Sequence, residues 1–458
     1  MTESPYAGVA VPRRAVQGWV IAVLVYFLAV FHRSSLGVAG LLAERRFGIT
    51  PAQLSVFILL QIGVYAAMQI PTGVLVDRYG PRRLLVVASL IMGSAQLIFA
   101  LVPSYPVALF ARALLGCGDA LTFVSVLRFA ASHFSVRRYP VLIALTGMVG
   151  TAGNVIATLP LTQALHDFGW GASFASAACL SLVAGIAVWL LVSDPTPMPA
   201  PVRGVVELRT GVGGVARRVR AAWSLAGTRL GFWVHFACMS SATAFGMLWG
   251  DPYLVKGAGF STAGAGAVLM FGVIGAALLS PLFGWLIGHR PGTRVPLALG
   301  ICVVTIVGWT VAVTVWGDHP PRPYVLVLFV VMALGGPTSM AAFAIARDYN
   351  HARTLGTASG VVNVGGFLAT VVIALGFGWV LDALGGTTPH TLRWAVLVAI
   401  AVQVIGTLRM IVWLRRVRAF ALDRQLAGVS VPVAVVRRRW DIGARMLDND
   451  VTPMPGQV

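Results

Sequence analysis

Twelve long apolar runs leave this chain few folds to choose from. They lie near residues 17–40, 52–76, 83–102, 105–127, 139–163, 170–193, 230–254, 263–288, 295–316, 323–346, 356–383 and 391–414. A helix of about 20 apolar residues crosses the hydrocarbon core of a bilayer. Lipid offers no partner to backbone N–H and C=O groups, so only helices and closed barrels span it. These runs are uniformly apolar and lack the alternation that a barrel strand needs. The fold class expected is therefore an all-α membrane protein with twelve transmembrane helices. Composition agrees: 58% of the 458 residues are hydrophobic and 11% charged, where soluble domains carry about 25% charge.

The formal net charge of +19 would point to nucleic acid in a soluble protein. Here the arginines fall in alternate loops, as the positive-inside rule requires. The expected contact of the basic segments is membrane lipid, and no nucleic-acid partner is expected. Arg13, Arg14, Arg78, Arg82, Arg83, Arg137, Arg138, Arg290, Arg294, Arg347, Arg353 and the tail from Arg415 share one side. That places both termini and the central loop in the cytoplasm. The N-terminal residues show no short apolar region with a cleavage site, so the first run reads as a retained helix. Cys117, Cys179, Cys238 and Cys302 lie in apolar segments without metal-ligand spacing and read as small packing residues.

Segment 194–229, rich in Pro, Gly and Arg, divides the runs into six and six. The expected organisation is a cytoplasmic N-terminus 1–16, a six-helix bundle 17–193, a cytoplasmic linker 194–229, a second bundle 230–414 and a basic tail 415–458. Residues Arg217 to Leu225 fit a basic amphipathic turn on the inner leaflet. The tail, with Arg437, Arg438 and Arg439 beside Trp440, fits attraction to anionic lipid. The halves echo one another. Leu115 through Arg128 aligns without gaps to Leu334 through Arg347, and the stretch Gly73 to Arg78 to the stretch Gly284 to His289. Asn154 and Asn363 sit at similar depths in the fifth and eleventh runs. Paired halves with a site at their interface are a common plan of secondary transporters.

Arg33 in the first run and Asp119 in the fourth are charged residues inside apolar runs. Either disfavours insertion at a helix centre by roughly 2.5–3.5 kcal/mol. Such a residue is tolerated where it faces water, a partner or a ligand, so the pair marks a path for an ion or an anionic solute.

The second run ends in Gly73-Val-Leu-Val-Asp77-Arg78-Tyr-Gly80-Pro-Arg82-Arg83. Over these eleven positions it closely resembles the cytoplasmic helix 2–3 signature of the major facilitator superfamily, and resemblance to that superfamily covers about residues 15–415 of the chain. Gly73 permits close helix approach and Gly80 a tight turn. Asp77 suits a helix N-terminus, where the backbone dipole favours an anion. The resemblance implies that this helix is the eleventh, beginning near Thr354 to Thr357, and that the motif is a latch closing the cytoplasmic side.

The fourth run holds Arg112, Gly116, the pair Asp119-Ala120, Arg128 and His133-Phe134. It is similar to helix 4 of the anion:cation symporters, which include sialin-like carriers, with Asp for the family Glu and His for its Trp. The resemblance implies proton coupling at Asp119. A structural pair with Arg112 or Arg33 is the other reading. Arg112 and Arg128 are grouped with the gating residues. The first run shows His32-Arg33 where that family has Asp-Arg. A guanidinium can hold a carboxylate bidentately, and the resemblance implies that Arg33 binds the anion. His32 either titrates in place of the acid or serves packing. Tyr65, Gln69-Ile-Pro71 and the stretch Ser359 to Gly366 extend the similarity. It implies that Tyr65 and Asn363 contact solute, with Asn154 and His235 as further candidates. Interhelical hydrogen bonding is the alternative for Asn363. Phe168-Gly169-Trp170 also fits, while Gly171 and Gly288 replace a family Arg and the repeat's acid.

No nucleotide, metal or nucleophile signature appears, so neither a cofactor nor an enzyme activity is expected. The expectation is a plasma-membrane secondary transporter, working as a monomer by alternating access, that moves a small organic anion with a proton. Efflux of drugs or metabolites by antiport is the alternative, although the run Gly150-Thr-Ala-Gly153-Asn154 lacks the efflux-type Gly-Pro signature. A non-transporting membrane sensor is a third.

Overall fold

The structure is a computed structural model that describes residues 12–194 and 212–435. The expectations for the first eleven residues, for the proline-rich part of the linker and for the arginine cluster before Trp440 lie outside the described residues.

Helices are the rule, as the apolar runs dictate. The first half contains α1 (Arg13–Phe47), α2 (Pro51–Tyr79), α3 (Pro81–Leu101), α4 (Tyr105–His133) and α5 (Tyr139–Leu191). The last is two spans in one, broken at Gly169, whose φ of 73° and ψ of 178° no helix shares. Next comes α6 (Val212–Ser224), followed by α7 (Ala226–Ala244) and the three-residue α8 (Gly250–Pro252). The rest comprises α9 (Thr262–His289), α10 (Arg294–Val311), α11 (Arg322–Ala333), α12 (Gly335–Ser339), α13 (Ala341–Tyr349), α14 (Leu355–Ala383) and α15 (Pro389–Leu426). Ten stretches of the described residues are long and apolar enough to cross a membrane by length and composition. With α2 and the run from α7 to Gly257, twelve helical spans lie among the described residues.

Three of these spans depart from regular α-geometry. Wider turns at Phe245–Trp249 and Tyr253–Gly257 flank Pro252, and another occurs at Ala312–Trp316. At Gly335-Gly336-Pro337 the span passes through two tightened turns. The amide of Leu334 donates to Val331 O at 3.1 Å and that of Met340 to Pro337 O at 3.3 Å. Pro337 supplies no N–H of its own, so the ladder tightens on either side of it. The linker's basic turn is longer than expected: α6 carries Arg217, Arg218 and Arg220 on a 13-residue helix.

The chain divides into two compact units. The first comprises residues 1–219 with 352–360, and the second 220–351 with 361–458. In the first, α1 packs along α5 and α4, α3 along both of these, and α2 along α4. In the second, α7 packs on α15, α13 and α12, and α9 on α11 and α12. Small residues permit these approaches, as in membrane helix packing generally. Buried Cys238 and Cys302 pack together in the second unit with sulfurs 3.6 Å apart, while Cys179 is exposed.

Gly80 shows the sequence logic at one residue. It joins α2 to α3 at φ 82° and ψ 158°, a region open essentially to glycine alone. A Cβ there would also lie 2.9 Å from the carboxylate oxygens of Asp194. Gly80→Val is expected to cost about 1–3 kcal/mol in backbone strain. Thermal unfolding in detergent should show a lowered midpoint; an unchanged one would remove the constraint.

Candidate functional site

The first unit brings Arg33 and Asp119 together. The Arg33 Nε donates to Asp119 Oδ2 at 2.8 Å and its Nη2 to Oδ1 at 2.8 Å. These are the two parallel bonds of a side-on guanidinium–carboxylate pair, a strong and geometrically specific contact. Asp119 is buried, with its side chain 1% exposed, whereas that of Arg33 keeps 15%. The carboxylate takes two of the five guanidinium N–H groups. The guanidinium carbon lies over the buried Tyr65 ring, 4.4 Å from its centre, a cation–π contact. One turn of α1 presents the neighbouring residues to other partners. Ser34 Oγ donates to Asn154 Oδ1 on α5. His32, wholly buried, bonds Ser181 Oγ through Nε2 at 2.7 Å.

Arg112 belongs elsewhere than the gating group to which its sequence assigned it. It lies 16 positions before Arg128 on α4, a rise of about 24 Å at 1.5 Å per residue. It is buried at 1% exposure, with its guanidinium 5.3 Å from the Phe99 ring centre. Its Nη1 reaches His32 O at 3.5 Å. It forms no ion pair with Asp119 among the described residues; Arg33 holds that carboxylate.

The remaining motif residues do assemble, at the arginine-rich end of α2. Asp77 Oδ1 accepts from the Gly356 amide at 2.8 Å. Its Oδ2 accepts from the amide and the hydroxyl of Thr357, both at 2.7 Å. The carboxylate thus caps the start of α14, where N–H groups are unpaired and the dipole is positive. Arg128 Nε lies 3.5 Å from Asp77 Oδ1. The approach requires glycine. A Cβ on Gly73 would sit 2.5 Å from Gly356 O, and one on Gly360 would sit 2.4 Å from Gln69 O. The Arg82 amide donates to Asp194 Oδ1 at 2.9 Å and its Nη2 to Trp189 O at 2.5 Å. Arg78 stays beside its neighbour Tyr79, 4.9 Å from the ring centre.

In the second unit, His235 Nε2 and Asn363 Oδ1 are hydrogen-bonded at 3.2 Å, and both residues are buried. This is the interhelical contact that stood as the alternative for Asn363. The unit also holds an ion pair that motif reading missed. Arg294 Nη1 bonds Asp348 Oδ2, with Arg294 Nε on Ile287 O at 3.0 Å. Asp194, Ser34 and Ser181 were missed as well. Each is a single polar residue whose partner lies far away in the chain, and no local pattern marks it. No group of three or more His, Cys, Asp or Glu residues that could hold a metal occurs among the described residues.

The family model of the Major Facilitator Superfamily matches residues 22–374. A protein named "Probable galactarate/D-glucarate transporter", from Escherichia coli (strain K12), is 23% identical over 84% of this chain and 92% of its own length. A "Probable L-galactonate transporter" from the same organism is 21% identical over 86% of this chain and 88% of its own. Among solved structures, the transporter FucP in its outward conformation superposes with a TM-score of 0.64. Its identity is 12%, over 87% of this chain and 99% of that one; at that identity the likeness shows the fold alone.

Proposed function

This chain belongs to the major facilitator superfamily, and on that premise we propose that it carries a small organic acid together with a proton by alternating access. The observation that supports this reading most is the bidentate pair of Arg33 and Asp119. A permanent cation and a protonatable acid hold each other until something displaces one of them. A proton arriving at Asp119 removes the counter-charge, and Arg33 then receives the carboxylate of the solute in the same two-bond geometry. When the solute leaves, Asp119 loses its proton and takes Arg33 back. Because the pair forms again only after both have gone, anion and proton travel together.

The two Escherichia coli relatives are named for transport of sugar acids, and their names fit a site built on a guanidinium. A sialin-like anion:cation symporter is the closer grouping we assign. In the same reading, within the first unit, Tyr65 flanks the bound anion and Asn154 is a polar contact for its hydroxyls. The cap on α14 by Asp77 is a gate that holds one conformational state. The protein sits in the plasma membrane with both termini cytoplasmic, and one chain suffices.

Reconstituted vesicles test this reading. With an imposed pH gradient, the wild-type protein is expected to accumulate a radiolabelled sugar acid. Asp119→Asn keeps the shape and loses the titration. It is expected to abolish gradient-driven accumulation and to retain exchange of internal for external solute. Accumulation by the Asn protein under the pH gradient would remove Asp119 from coupling.

A further inference from the structure

The buried charges of the first unit do not balance. Asp119 is wholly engaged by Arg33, and Arg112 stands two helical turns along α4 from Asp119 on nearly the same face. Arg112 is 1% exposed, and its Nε and Nη2 have no hydrogen-bond partner among the described residues. The backbone oxygen of His32, at 3.5 Å, is the acceptor nearest its Nη1. The contacts shown for Arg112 from neighbouring helices are neutral: His32 on α1, itself bonded to Ser181 on α5, and Phe99 on α3. The side chain of His32, bonded to a serine hydroxyl, is no carboxylate, and the contact it offers Arg112 is its backbone oxygen. Two permanent cations thus share one carboxylate.

A buried charge without a partner is costly, and its field is screened less within the protein than in water. We infer that the solute is a dianion, a small dicarboxylate, and that Arg112 with the neutral His32 sets this charge preference. The inference rests on the proposed reading that the anion binds at Arg33. With Asp119 protonated for loading, the site has two positive charges and no negative one. A monocarboxylate leaves one of them unmet, whereas a dicarboxylate meets both. The second carboxylate need not touch Arg112. Arg112 is a charge-selecting residue that acts through the field it imposes on the solute held by Arg33.

Matched acids read this directly. The purified full-length protein is titrated at neutral pH with pairs that share a carbon skeleton, glucarate with gluconate and succinate with butyrate. The diacid of each pair is expected to bind at least about ten-fold more tightly, about 1.4 kcal/mol. His32→Asp places a carboxylate beside Arg112 and is expected to bring that ratio to one or invert it. Arg112→Gln removes the surplus charge and is expected to shift the ratio the same way, so one variant suffices if the other fails to fold. Equal or tighter binding of the monoacids by the wild-type protein overturns the inference while leaving the anion site at Arg33 intact. So does a ratio that neither variant moves. If no acid of either charge binds, the site at Arg33 and this inference fall together.

Discussion

Arg33→Gln is expected to abolish uptake and to destabilise the protein, and the two effects separate in a double variant. In the single variant, Asp119 loses both of its 2.8 Å bonds from Arg33 while remaining buried. Removing one partner of a buried ion pair costs about 3–5 kcal/mol, because the other charge is stranded. Arg33→Gln combined with Asp119→Asn strands neither, so thermal stability should return most of the way. Transport should not return, since the double variant has no guanidinium for the anion. A measured loss of stability in the double variant as large as the sum of the two singles would mean that the pair is not coupled. Uptake by the double variant would remove Arg33 from solute binding.

Gly73→Leu is expected to open the start of α14. The first added carbon would lie 2.5 Å from Gly356 O and 2.9 Å from Thr357 Cα. Both are backbone atoms that cannot rotate aside, so the helices must separate. Separation breaks the three hydrogen bonds that Asp77 accepts from Gly356 and Thr357. Asp77→Ala removes the same bonds without a clash, at the roughly 0.5–2 kcal/mol typical of a lost helix cap. Amide hydrogen exchange at Gly356 and Thr357 should accelerate in both variants, and more in Gly73→Leu. Transport should fall in the same order if the cap is a gate. Unchanged protection at these two amides in both variants would exclude the cap as a stabilising contact.

Other features of the fold could be read directly in the chain. The spans follow from their length in apolar residues, and the break before Trp170 follows from Gly169. The motif from Gly73 to Arg83 pointed to a carboxylate at the start of a helix, and Asp77 lies against Gly356 and Thr357. The pairing of charges was less legible. Arg112 belonged by sequence with the residues at the far end of α4, yet it stands near His32 and Phe99. For Asp119 the sequence left open whether Arg112 or Arg33 would be its partner. Spacing along α4 allowed the first, and the rotation of α1 against α4 selected the second. The bonds of Ser34 to Asn154 and of His32 to Ser181 cross 120 and 149 residues, and no window of sequence contains both ends.

The number of crossings, the two sixfold groups of runs and the presence of charge within apolar segments were settled by the order of residues alone. Each rests on a quantity summed along a continuous stretch, its hydrophobic length and its charge, and the bilayer reads that sum locally. Which charge meets which was decided only in three dimensions. A helix can turn about its axis without changing its length or composition, and side-chain partnership depends on that turn. Small residues pack helices of distant sequence at close range and so choose one rotation. Arg33 thereby came to Asp119, and Arg112 was left without an acid.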